Sequence, residues 1–132
     1  MISKKKSILC LLACGIAAVL FLRVAAVYAP SEGTIILESN AGVSLEEPLS
    51  DEELVTVKKI LWGKIKWPES LYGIPACGFA KSYSLMIDGT RYMMAMDSCG
   101  TRCVEEADTF CYINISDSQK NALQEMFTSR GK

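Results

Sequence analysis

The sequence contains no histidine. That absence removes Ser-His-Asp and Cys-His nucleophile pairs, His-ligated metals and imidazole acid–base chemistry. Nor is there a basic excess, since 14 Lys and Arg stand against 15 Asp and Glu for a formal net charge of −1. Nucleic acid demands clustered positive charge, so no nucleic-acid partner is expected. The paired CxxC knuckles of structural zinc sites and the CxxC of thiol oxidoreductases are missing as well. At 132 residues the chain is one domain long, and well short of that once an export segment is set aside.

What is present begins with hydrophobicity, which is concentrated at one end. Lys4, Lys5 and Lys6 precede Ile8 to Leu22, an uncharged run that resumes after Arg23 as Val24 to Ala29. Basic flanks stay cytoplasmic, so everything after the run is expected outside the membrane. Residues 1–29 read either as a signal peptide or as a single transmembrane anchor. Val24-Ala25-Ala26 and Val27-Tyr28-Ala29 are the small-residue tails a signal peptidase would read, and Pro30 speaks against the second. As an anchor, Ile8 to Ala29 would span about 33 Å, enough for a hydrocarbon core of about 30 Å. Leu11-Leu12-Ala13-Cys14 has the outline of a bacterial lipobox, but Gly15 to Leu22 continues apolar where a polar tether belongs. Cys10 and Cys14 therefore read as small apolar residues within a membrane helix.

Four of the basic residues precede Ser31, leaving ten against fifteen acidic ones beyond it, a net of −5. Residues 30–49 read as a tether with one short strand at Ile35-Ile36-Leu37, and residues 50–132 as a small extracytoplasmic α+β domain. Ser50-Asp51-Glu52-Glu53 is a capping box, followed by Leu54, Val57, Ile60 and Leu61 at helical spacing and by Gly63 as a stop. Trp62, Ile65 and Trp67 are expected to cover the core. Tyr83, Leu85 and Ile87 alternate with polar residues, as do Tyr92, Met94 and Met96. Asp88-Gly89 between them is the preferred two-residue hairpin turn. That register pairs Ile87 with Thr90, Leu85 with Tyr92 and Tyr83 with Met94. A second hairpin is expected from Cys103 to Ile115, with Glu105 to Asp108 at its tip. Ser116-Asp117-Ser118-Gln119 caps a last helix that buries Leu123, Met126 and Phe127 and ends at Gly131. The fold class is α+β: helix, two antiparallel hairpins, helix, after an N-terminal hydrophobic segment.

Cys77, Cys99, Cys103 and Cys111 lie beyond the export segment. In a small exported domain an even number of cysteines points to disulfides, and four allow three pairings. The first hairpin's register sets Cys77 beside Cys99 at its open end, and the second hairpin allows Cys103 and Cys111 to face each other. Cys77–Cys99 and Cys103–Cys111 are thus the expected bridges, each worth about 3 kcal/mol. The competing use of these residues is redox or metal chemistry at Cys99 and Cys103, with Arg102 the nearby positive charge. Met86, Met93, Met94 and Met96 could bind soft copper, but the predicted core face explains Met94 and Met96 better. Glu105, Glu106 and Asp108 could hold calcium but read as a solvated tip. Asp97 reads as a turn residue, and Asn114-Ile115-Ser116 matches a glycosylation pattern that the bacterial look of the N-terminus discounts. No catalytic residue, metal ligand or cofactor is expected.

Glu52-Glu53 with Val57-Lys58-Lys59-Ile60, Cys77-Gly78-Phe79, Ala95-Met96-Asp97-Ser98-Cys99 and Tyr112-Ile113-Asn114-Ile115-Ser116-Asp117 carry a resemblance. Over some 80 of the 132 residues the chain resembles a family of small exported or membrane-tethered Firmicutes proteins whose function is not established. Relatives there often carry a cysteine near the end of the second strand and another in a Phe-Pro-Cys tail. Met93 and Met94 stand in the first place here, and Lys132 is reached before any such tail. The resemblance thus implies that Cys77 and Cys99 pair with each other, with Cys103 and Cys111 this chain's own addition. It supplies no activity. The expected function is a non-catalytic extracytoplasmic module, membrane-tethered or secreted, that binds a protein, peptide or envelope component.

Overall fold

The computed structural model describes residues 3–38, 42, 44–68, 71, 80–94, 102–106 and 110–130. The chain forms two compact units, Met1–Pro30 and Ser31–Lys132.

The first unit is one helix, α1 (Lys4–Tyr28), apolar on every side. Its large side chains from Ile8 to Val24 are 53–73% exposed, and its most apolar 18-residue window has a mean hydropathy of 2.6. At 1.5 Å per residue it is about 37 Å long. Lys4, Lys5 and Lys6 stand at its N-terminus with no acidic residue and no side-chain cap. Positive charge there opposes the helix dipole. Such a helix suits a membrane, where apolar residues face lipid and flanking lysines set orientation. The chain thus carries an apolar N-terminal helix of the kind found in membrane-associated and secreted proteins.

The second unit is α+β, as expected. Its strands are β1 (Gly33–Glu38), β2 (Ser44–Pro48), β3 (Lys66–Pro68), β4 (Ala80–Ile87), β5 (Thr90–Met94), β6 (Arg102–Glu106) and β7 (Phe110–Asn114), and its helices are α2 (Asp51–Leu61) and α3 (Asp117–Thr128). The strands form one antiparallel sheet in the order β2-β1-β4-β5-β6-β7-β3. Proline closes both edge strands, at Pro48 and Pro68, where its missing N–H blunts further pairing.

Both helices start as their capping boxes dictate. The Ser50 N–H donates to Glu53 Oε2 (2.8 Å) and the Glu53 N–H to Ser50 Oγ (3.3 Å). Ser116 and Gln119 make the same exchange at 3.0 and 3.3 Å. Gly63, with φ +67°, turns the chain just after α2. Leu54, Val57 and Ile60 of α2, with Leu123, Met126 and Phe127 of α3, bury against Ile35, Leu85, Ile87, Ile113 and Ile115 of the sheet. The Tyr83 ring meets Phe127 edge-on at 5.5 Å. Gly33 lies beneath this layer, where a Cβ would come within 2.7 Å of Leu54 and 2.9 Å of Leu49. The opposite sheet face carries a smaller cluster of Met93, Tyr112 and Trp67.

The Asp88-Gly89 turn forms with φ +48° and +83°, and Ile87 pairs with Thr90 and Leu85 with Tyr92. The register then shifts, so Met94 pairs with Ala80 and not with Tyr83. Residues 33–48 are not a tether. They form a hairpin whose first strand lies between β2 and β4, with Ile35 fully buried. Residues 66–68 add an edge strand in which Trp67 pairs with Tyr112, away from the helix-covered core, while Ile65 is 66% exposed. Met93 is buried on the face away from the helices, and the Met94 side chain lies outside the described ones. α3 ends at Thr128, and Gly131 lies outside the described residues.

Candidate functional site

The second hairpin sets where two of the exported cysteines stand. Its register pairs Cys103 with Ile113 and Glu105 with Cys111. The cysteines are therefore offset by two positions along the ladder instead of standing opposite each other. Diagonal neighbours of this kind lie about 7–8 Å apart, beyond the roughly 4.4–6.8 Å between Cα atoms that a disulfide spans. Cys111 is half-buried with a free thiol, and no disulfide is present among the described residues. The expected Cys103–Cys111 bridge is thus corrected, and with it disulfide stapling among the described residues. Cys77 and Cys99 lie outside the described residues, as do Asp97 and Asp108. Glu105 and Glu106 fall within β6 and not at the hairpin tip. Among the described residues no three Cys, Asp or Glu side chains gather as a metal site.

The described geometry converges elsewhere, between α2 and α3. A groove of about 570 Å³ lies there, lined by Glu53, Thr56, Ala122, Glu125, Met126, Thr128 and Ser129. Helix periodicity places these residues: Glu53 and Thr56 are three apart on α2, as Ala122, Glu125 and Thr128 are on α3. Apolar Ala122 and Met126 stand there among two carboxylates and three hydroxyls. The three hydroxyls donate into their own helices, Thr56 Oγ1 to the Glu52 carbonyl (2.9 Å), Thr128 Oγ1 to that of Gln124 (3.1 Å) and Ser129 Oγ to that of Met126 (3.0 Å). A hydroxyl bonded to a backbone carbonyl is not activated by a base. Such a surface can hold a ligand, with acceptor oxygens in its lining.

Arg130 bonds to Glu53 and Met126 of this lining. Its Nη1 and Nη2 donate to the two Glu53 carboxylate oxygens at 2.8 and 2.6 Å, and its Nε to Glu47 Oε2 at 3.1 Å. Nη1 also reaches the Met126 carbonyl at 3.0 Å. This two-pronged pairing holds the Glu53 carboxyl down at about 2, mainly through the hydrogen bonds from Arg130. One guanidinium thus ties the chain after α3 to α2 and to the β2 edge. A second clamp crosses the sheet, where Arg91 Nη2 donates to the fully buried Ser84 Oγ (3.0 Å) and to Glu38 Oε1 (3.1 Å). Neither arginine carries a local sequence signal, because Arg130 stands 77 residues from Glu53 and Arg91 stands 53 from Glu38. Comparison of the chain with protein-family models, curated proteins and solved structures finds no match.

Proposed function

We propose that this chain is a non-catalytic extracytoplasmic binding module, carried to the membrane by α1 and acting through its α+β unit on a protein, peptide or envelope component. The observation that carries the reading is the build of α1, apolar on every side and exposed from Ile8 to Val24, with three lysines at its N-terminus. Those lysines stay on the cytoplasmic side, which sends the following residues outward. The groove between α2 and α3, with acceptors in its lining and no activated nucleophile among its hydroxyls, supports holding over transforming. The resemblance to small exported Firmicutes proteins, carried by the Cys-Gly-Phe and Tyr-Ile-Asn-Ile-Ser-Asp segments, fits an exported chain. Proteinase K applied to spheroplasts tests the topology. Digestion of the α+β unit without detergent is the expected result. Protection until the membrane is dissolved would overturn it.

A further inference from the structure

The junction between the two units decides whether the exported domain stays on the membrane. Two small-residue tails offer a signal peptidase a cutting point, and each meets a physical obstacle. Val24-Ala25-Ala26 lies within α1, which continues through Val27 and Tyr28. Proteases take their substrates as extended strands, so cleavage after Ala26 requires the end of the helix to unwind first. The tail Val27-Tyr28-Ala29 is followed by Pro30, whose tertiary amide has no N–H to offer and whose ring crowds the bond to be cut.

Beyond Pro30 the chain is already built into the domain. Ser31 Oγ accepts from Lys58 Nζ of α2 at 2.8 Å. The Glu32 N–H donates to Asp88 Oδ1 at 2.9 Å, and the Asp88 N–H donates back to the Glu32 carbonyl at 3.0 Å. The Asp88 that makes the hairpin turn therefore also extends the β1–β4 ladder backwards by one pair. Only Ala29 and Pro30 separate the last residue of α1 from the first pinned residue. Ala29 has φ −61° and ψ 143°, the extended form a following proline imposes. Two residues in that form span about 6 Å.

We infer that α1 is a retained anchor and that Pro30 blocks its removal after Ala29. This rests on the outward topology proposed above and settles what that topology leaves open, tethered against secreted. The full chain, tagged at its C-terminus and expressed in a bacterial host, gives the first test through intact-mass measurement of the alkali-washed membrane fraction. The full-length chain in the membrane is expected. A chain shortened by 26 or 29 residues would overturn the inference even where proteinase K finds the domain outside, so the two readings fail separately. Pro30→Ala opens the second tail and is expected to release a soluble chain beginning at position 30. Full retention of that variant would overturn the role given to Pro30.

Discussion

Helices α1 and α2 draw on the same leucines, isoleucines and valines and use them in opposite ways. In α2 the apolar residues fall on one stripe, Leu54, Val57 and Ile60, with Asp51, Glu52 and Glu53 in the first turn and Lys58 and Lys59 in the last. Every charge there complements the dipole, and a capping box closes the N-terminus. In α1 the apolar residues occupy all sides, the cap bond is missing and three lysines crowd the positive end of the dipole. Each departure would weaken a helix in water. In lipid the backbone must bond to itself whatever the caps do, so a helix placed there would tolerate them and its lysines would act as orientation signals.

The comparison is broken most severely by removing the residue that α3 drives into the sheet. Phe127 is 1% exposed and packs edge-on against Tyr83. Phe127→Ala is expected to cost about 3–5 kcal/mol, read as the loss of cooperative thermal unfolding in micelles, with α1 still in the membrane fraction. The converse change falls on α1. Ile16→Arg is expected to cost about 2.5–3.5 kcal/mol of insertion and to shift the chain out of the alkali-washed membrane, with the melting of the α+β unit unchanged. Parallel loss of both properties in either variant would show that the two units do not stand independently.

Arg130→Ala tests the clamp that joins α3's end to α2 and β2. Glu53 has its carboxyl lowered from 4.5 to about 2 by Arg130. A carboxylate lowered in the folded state stabilises fully above its unfolded value and loses that contribution as pH falls through its folded value. The wild type is therefore expected to lose stability between about pH 4.5 and 2 by this route, and Arg130→Ala to lose less over the same range. At neutral pH the variant should cost about 1–2 kcal/mol, since the pair is partly open to solvent. Denaturant titrations at pH 7, 4 and 2.5 would check both statements. Equal acid sensitivity of variant and wild type would remove Glu53 as its source.

What could be read in advance follows from distance along the chain. The capping boxes, the Asp88-Gly89 turn and the stripes of α2 and α3 are encoded within a few residues each, and the structure carries all of them. Ile35-Ile36-Leu37 is too short a patch to announce an interior strand. β1 becomes one because β4, some fifty residues later, pairs along it. The Cys103–Cys111 expectation failed for a related reason. Alternation fixes which face a residue occupies but not the register, and the pairing of β6 with β7 offsets the two cysteines by two positions. Arg130 was invisible because a guanidinium meeting two carboxylates from distant segments is a product of the finished fold.

The smallest effect isolates the caps themselves. Ser50→Ala removes the oxygen that accepts from the Glu53 N–H and leaves the other half of the box without its reciprocal bond. The expected cost is about 1 kcal/mol, and Ser116→Ala should match it at α3. Ser3 stands in the same position before α1 but makes no side-chain cap bond. Ser3→Ala should therefore change neither the melting of the α+β unit nor the membrane fraction. If it weakens membrane retention by as much as Ser50→Ala weakens folding, then α1 depends on its cap as a water-borne helix does. The contrast between the two helices would then lie in sequence alone and not in the solvent each one meets.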